Sequence, residues 1–149
     1  LVIVGLWTLL AALLTVTATR WRLADARERA IAHSPFLDMT SWVRDSDLKG
    51  PFLIPLAAPF DEFQLSARKT VWVDWKQGAA IMWEPAFYFQ WMPRFREVKA
   101  LRNSDEFATY AILNHIPYAV LSAADGSCPH RTEVVYRNSN FVVCRVKFD

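Results

Sequence analysis

Three charged residues offer the clearest chemistry in this sequence. Arg68 stands before the run Thr70-Val71-Trp72-Val73-Asp74-Trp75, and Asp74 and Lys76 stand where that run ends. An arginine so placed can clamp a phosphate or a carboxylate through two parallel N–H bonds. Asp74 close to Lys76 can act as a base or as a ligand group. The structural alternative is an ion-pair cluster that fixes the loop ends beside a sheet. It is preferred, because semi-buried charges are usually paired for structural reasons as well as functional ones. Other chemistries find less support. His33, His115 and His130 are widely spaced, with no partner at metal-ligand intervals. Ser66 and Ser122 lack the flanking glycines of a nucleophile elbow. No phosphate-loop or other cofactor pattern is present, so no cofactor is expected.

The elements that must position these side chains follow from the pattern. Residues 70–75 alternate β-branched and aromatic side chains without Gly or Pro, which predicts a central strand between packed layers. The exit end of such a strand in an open α/β sheet is where ligands usually sit. Upstream, a short helix is expected over 38–43 with Asp38 as its cap, then a strand over 51–56 bracketed by Pro51 and Pro55. Downstream, Pro85 opens a helix that runs to about Leu101, bent at Pro93. Asn103 or Ser104 caps a second helix, and Pro117 stops it. Residues 118–122 read as an apolar strand. Residues 132–137 and 141–147 read as two more, joined by a tight Asn138-Ser139-Asn140 turn. Strands separated by helices call for crossovers. The expected fold is a small three-layer α/β domain with a mostly parallel sheet and a C-terminal antiparallel hairpin.

Composition bounds the setting. The 149 residues are 53% hydrophobic and 14% aromatic with net charge +2, too little and too evenly spread a charge for nucleic-acid binding. Residues 1–19 carry no charged side chain. As a helix they would reach about 28 Å, close to the thickness of a bilayer core. A signal peptide should open with a basic region and close on a small-residue cleavage site, and neither is present. A transmembrane helix over 1–19 is therefore expected, with Trp21 at the interface, a juxtamembrane helix and linker over 20–35, and a folded domain over 36–149. The chain opens without Met inside an apolar run, which suggests the C-terminal part of a longer protein with further spans upstream. Arg20, Arg22, Arg27 and Arg29 would place the side after the span in the cytoplasm, but Asp25 and Glu28 are interleaved with them.

Cys128 and Cys144 can form a disulfide if the domain lies outside the cytoplasm. The hairpin register argues the other way: a turn at Asn138-Ser139-Asn140 sets Cys144 opposite about Val134, away from Cys128. A buried free Cys144 is the default expectation. The aromatic excess at Trp72, Trp75, Trp83, Phe87, Phe89 and Trp91 has two readings, a stacking or lipid-proximal surface and plain packing. Packing is favoured.

Several phrases together resemble a known family. They are Trp42-Val43-Arg44, Phe52-Leu53-Ile54-Pro55, Phe63 through Ser66-Ala67-Arg68, and Val71-Trp72-Val73-Asp74-Trp75-Lys76, followed by Trp91 and Arg94 on a later helix. They look like the C-terminal domain of a bacterial membrane-protein family of unknown function. Tyr118-Ala119-Val120-Leu121 and Val135-Tyr136-Arg137-Asn138 through Arg145-Val146 look like the tail of polytopic C-type glycosyltransferase-like proteins. The likeness covers most of residues 36–148. Gln64 stands where that family usually has Arg, and Gln77-Gly78 replaces a Pro-containing phrase. The resemblance implies an extracytoplasmic domain at the bacterial inner membrane, with the lipid bilayer and upstream transmembrane helices as partners. The resemblance supplies no activity; the expectation is that the full protein handles a lipid-linked sugar or envelope glycan, with any catalysis mainly in upstream segments, and that Trp91 and Arg94 join Arg68, Asp74 and Lys76 as ligand-binding candidates. The rival expectation is a non-enzymatic scaffolding module of the envelope.

Overall fold

A computed structural model describes residues 15–22 and 35–148. The chain divides into two units, Leu1–Ser34 and Pro35–Asp149. Within the first, residues 15–22 are helical, and Thr19 Oγ1 donates to the carbonyl of Thr15 at 2.7 Å. Most of the span expected over 1–19, and most of the juxtamembrane segment, lie outside the described residues. Among the described residues no helix is long and apolar enough to cross a membrane, so the expected N-terminal transmembrane helix is not found among them.

The second unit begins with helical residues 35–45 (α1). There follow β1 (Phe52–Leu53), α2 (Phe63–Ala67), a 3-10 segment Lys76–Met82, α3 (Tyr88–Ala100), α4 (Ser104–Leu113), β2 (Tyr118–Ser122), β3 (Thr132–Arg137) and β4 (Phe141–Val146). The sheet order is β1-β2-β4-β3. Among these four strands only β1 and β2 pair in parallel; β4 is antiparallel to both β2 and β3. The sheet is therefore mixed, not mostly parallel. Composition accounts for the order. The run Phe141-Val142-Val143-Cys144 is apolar on both faces and takes an interior place, whereas β3 carries Thr132, Glu133 and Arg137 at its two ends, has no fully buried residue, and takes the edge. A bulge between Val134 and Tyr136 breaks the β3 ladder.

Three layers result. Phe52, Tyr118, Val120, Phe141 and Val143 face α1 and α2 through Phe36, Met39, Val43 and Phe63. Leu53, Ala119, Leu121, Val142 and Cys144 face α3 and α4 through Trp91, Val98 and Ala111. Strand alternation thus feeds two cores, one on each face. At the turn into β1, Gly50 has φ +117, and a Cβ there would stand 2.6 Å from Pro117 Cγ, so no other residue fits. Asn103 caps α4 as expected: its Oδ1 accepts from Glu106 N–H at 2.9 Å, and Glu106 Oε2 accepts from Arg102 N–H at 2.7 Å.

The central strand expected over 70–75 shrinks to one bridge, Phe52 with Val71. Phe52 N–H donates to Thr70 O and Trp72 N–H to Phe52 O, at 2.9 and 2.8 Å. After that, Trp72 and Val73 turn toward the same core and alternation is lost. The cause is Asp74, whose Oδ1 accepts from Gln77 N–H at 2.7 Å and draws the chain into the 3-10 segment.

The cysteines also depart from expectation. Val134 pairs with Cys144, as the hairpin register requires. Yet Cys128 and Cys144 are disulfide-bonded, with Cα atoms 5.8 Å apart. Register fixes the neighbour in the plane of the sheet, while the loop carrying Cys128 folds back over its face. That return is held by Arg137 Nη2 donating to Gly126 O and Lys147 N–H donating to Arg131 O, both at 2.9 Å.

Candidate functional site

The C-terminal ends of β1 and β2 share one edge of the sheet, and two clefts open there. One, of about 210 Å³, lies among residues 54–58, Phe60, Asp61, Asp74 and Trp75. The other, of about 250 Å³, runs from Leu121 and Ser122 at the end of β2 to Asn103 and Ser104 at the start of α4. Pro55 and Phe60 line both. In the second cleft the polar groups serve the fold: Asn103 caps α4, and Ser122 Oγ accepts from Ala124 N–H at 3.2 Å.

Asp74 in the first cleft is different. It is only 3% exposed. Its backbone is held from two sides, with Trp91 Nε1–H donating to Asp74 O at 2.9 Å and Asp74 N–H donating to Gln77 Oε1 at 3.4 Å. Oδ1 is engaged by Gln77, while Oδ2 has no hydrogen-bond partner. Among the described residues no buried side-chain nitrogen or oxygen lacks a partner, so Oδ2 is not fully buried, and Asp74 lines the cleft. The cleft wall contains no Ser, Cys, His or Lys. It can accept hydrogen bonds through the Asp61 and Asp74 carboxylates and bury an apolar face.

The other sequence candidates stand apart from this opening. Arg68 is exposed at the C-terminal cap of α2, with φ 50. Its neighbour Lys69 does the tethering, donating to Ser46 O at 2.9 Å and Leu48 O at 3.0 Å. Lys76 is exposed at the start of the 3-10 segment. No ion pair joins Arg68, Asp74 and Lys76, so the expected charge cluster is not formed. Trp91 is buried, stacks on Phe95 at 4.9 Å, and braces Asp74 from behind. Arg94 lies over the Trp72 ring, 4.2 Å from its centroid. Both support the wall without lining it. His33 falls outside the described residues; His115 and His130 are exposed. Among the described residues no three His, Cys, Asp or Glu side chains group as metal ligands. Pro55, Phe60 and Asp61 were not anticipated, although Pro55 marks the end of a strand whose exit edge the sequence rule already favours.

Behind the wall, Trp72 Nε1–H donates to Tyr110 Oη at 3.2 Å, and Tyr110 O–H donates to Glu97 Oε2 at 2.9 Å. Burial raises the Tyr110 phenol above its ordinary 10.0, with the Trp72 bond pulling the other way. A raised folded-state value favours the neutral phenol. Its contribution to stability is complete below the ordinary value and is lost as the pH climbs through the raised one. Unfolding midpoints measured from pH 9 upward are expected to fall in the native chain and to fall less in Tyr110→Phe; equal slopes would refute this.

No family model, curated protein or solved structure matches the chain.

Proposed function

We propose that the unit over residues 35–148 is an extracytoplasmic recognition domain of a bacterial inner-membrane protein, which binds a lipid-linked sugar or another envelope glycan at the ends of β1 and β2. The observation that carries this reading is the cleft itself, which combines an open carboxylate oxygen, an exposed Trp75 ring and an apolar wall. That combination suits a ligand with a polar edge and an apolar face, as sugars have. The Cys128–Cys144 bridge supports the compartment, because such bonds persist where the surroundings are oxidising. The motif resemblance at Trp42, Ile54 and Trp72 to Lys76 supports the membrane-protein setting. The role in this reading is recognition, with the cleft's two carboxylates and the Trp75 ring as the binding groups.

A second reading, a scaffolding module for an envelope protein, is favoured by the exposed Met82, Trp83 and Phe89 beyond Trp75. The full-length chain applied in oxidising buffer to an array of bacterial envelope saccharides decides between them. Retention on defined saccharides, lost on reduction of the disulfide, is expected. Retention on none of them would transfer the assignment to the scaffold.

A further inference from the structure

We infer that the cleft at Asp74 is a subsite for a primary ammonium group, an inference that rests on the recognition reading and narrows its ligand to one bearing a free amine. The reason is a carboxylate left half satisfied inside a wall. Asp74 is 3% exposed and lines the cleft, Oδ1 takes one backbone N–H, and Oδ2 has no partner and keeps some access to the surface. A carboxylate oxygen in a largely buried side chain gains from a counter-charge, and a neutral hydroxyl supplies a hydrogen bond but no charge. An ammonium group supplies both.

The chain does not neutralise this oxygen itself. Lys76, two residues on, is exposed and makes no ion pair with Asp74; Arg68 sits at the cap of α2, and Arg94 is spent on the Trp72 ring. Two further features fit a cation. Asp61 lines the same cleft as a second carboxylate. Trp75, 69% exposed and tilted on Phe95 at 5.9 Å, presents an aromatic ring at the opening. The rest of the wall, Ile54, Pro55, Leu56 and Phe60, is apolar and shields the pair from water. At about 210 Å³ the cleft is below the size of a drug-sized pocket, so it fits one small group of a larger ligand.

The same ammonium chemistry can come from a de-N-acetylated amino sugar or from a lysine side chain of an envelope peptide. Three probes separate them: glucosamine, N-acetylglucosamine and Nα-acetyl-lysine methylamide, titrated near pH 6 into the full-length chain while the Trp75 indole resonance is followed. Glucosamine is expected to bind at least about tenfold more tightly than N-acetylglucosamine. Asp74→Asn is expected to erase that preference. This variant keeps an oxygen for Gln77 N–H, so the turn stays closed, and an unchanged melting temperature checks it. Trp75→Ala, at an exposed position, should weaken both amine probes. Binding of the lysine probe without either sugar would support the ammonium subsite while overturning glycan recognition. Equal affinity for the two sugars, untouched by Asp74→Asn, would overturn the subsite and leave glycan recognition standing. Binding of no probe overturns both.

Discussion

Trp91→Ala is expected to lower the unfolding free energy by about 3–5 kcal/mol in urea titrations followed by circular dichroism. The indole is buried, stacks on Phe95 at 4.9 Å, and donates its N–H to Asp74 O at 2.9 Å. Removing it leaves a cavity in the core between the sheet and α3, and a carbonyl without its donor. Trp91→Phe keeps most of the ring and loses the bond, so it should cost less, about 1–3 kcal/mol. Gly78 gives an independent check. A Cβ there would lie 2.7 Å from Trp91 Cζ2, so Gly78→Ala alone should be destabilising by about 1–3 kcal/mol. In the Trp91→Ala background the same change should be nearly free, a coupling that a double-mutant cycle reads directly. Additive costs would mean that the indole and the 3-10 segment do not support one another.

Breaking the Cys128–Cys144 bridge is expected to cost about 3 kcal/mol, because it closes a loop with a sequence separation of 16. The Cys128→Ala, Cys144→Ala pair should show this loss at the urea midpoint, and reduction with dithiothreitol should produce a similar loss in the native chain. The two positions are not equivalent. Cys144 is fully buried between β2 and β3, whereas Cys128 is half-buried in the loop. Cys144→Ser adds a hydroxyl to an apolar core and should cost about 1–3 kcal/mol more than Cys144→Ala; Cys128→Ser should show no such surcharge. A midpoint unmoved by reductant would show that the loop packs over β4 without its covalent tie.

What the sequence made legible was what neighbouring residues decide. Asn103 with Glu106 caps the start of α4, and Asn138 to Asn140 turn the hairpin, because caps and turns are contacts over three or four positions; the end of α4 comes at Leu113, ahead of the expected stop at Pro117. Residues 70–75 were misread for the opposite reason. Their composition is that of a strand, but the Asp74 carboxylate competes for the chain and leaves only Val71 bridged. The place of β4 between β2 and β3 depends on both of its faces being buried, which its apolar run hints at and a hairpin pattern does not. The disulfide was discounted from a correct register, since pairing within a sheet says nothing about a loop crossing its face. The cleft was legible only as a strand end. Pro55 and Phe60 meet Asp74 through separate loops, and no spacing in the sequence encodes that meeting.

The interruption in β3 bears on how copies of the chain meet. This strand lies at the end of the sheet order, and among the described residues no strand pairs with its outer side. The misfit between Val134 and Tyr136 bends that side, and Glu133 and Arg137 place charge along it, so a neighbouring molecule finds no straight template on which to zip. Deleting Val135 would restore a regular ladder and invite stacking of chain on chain.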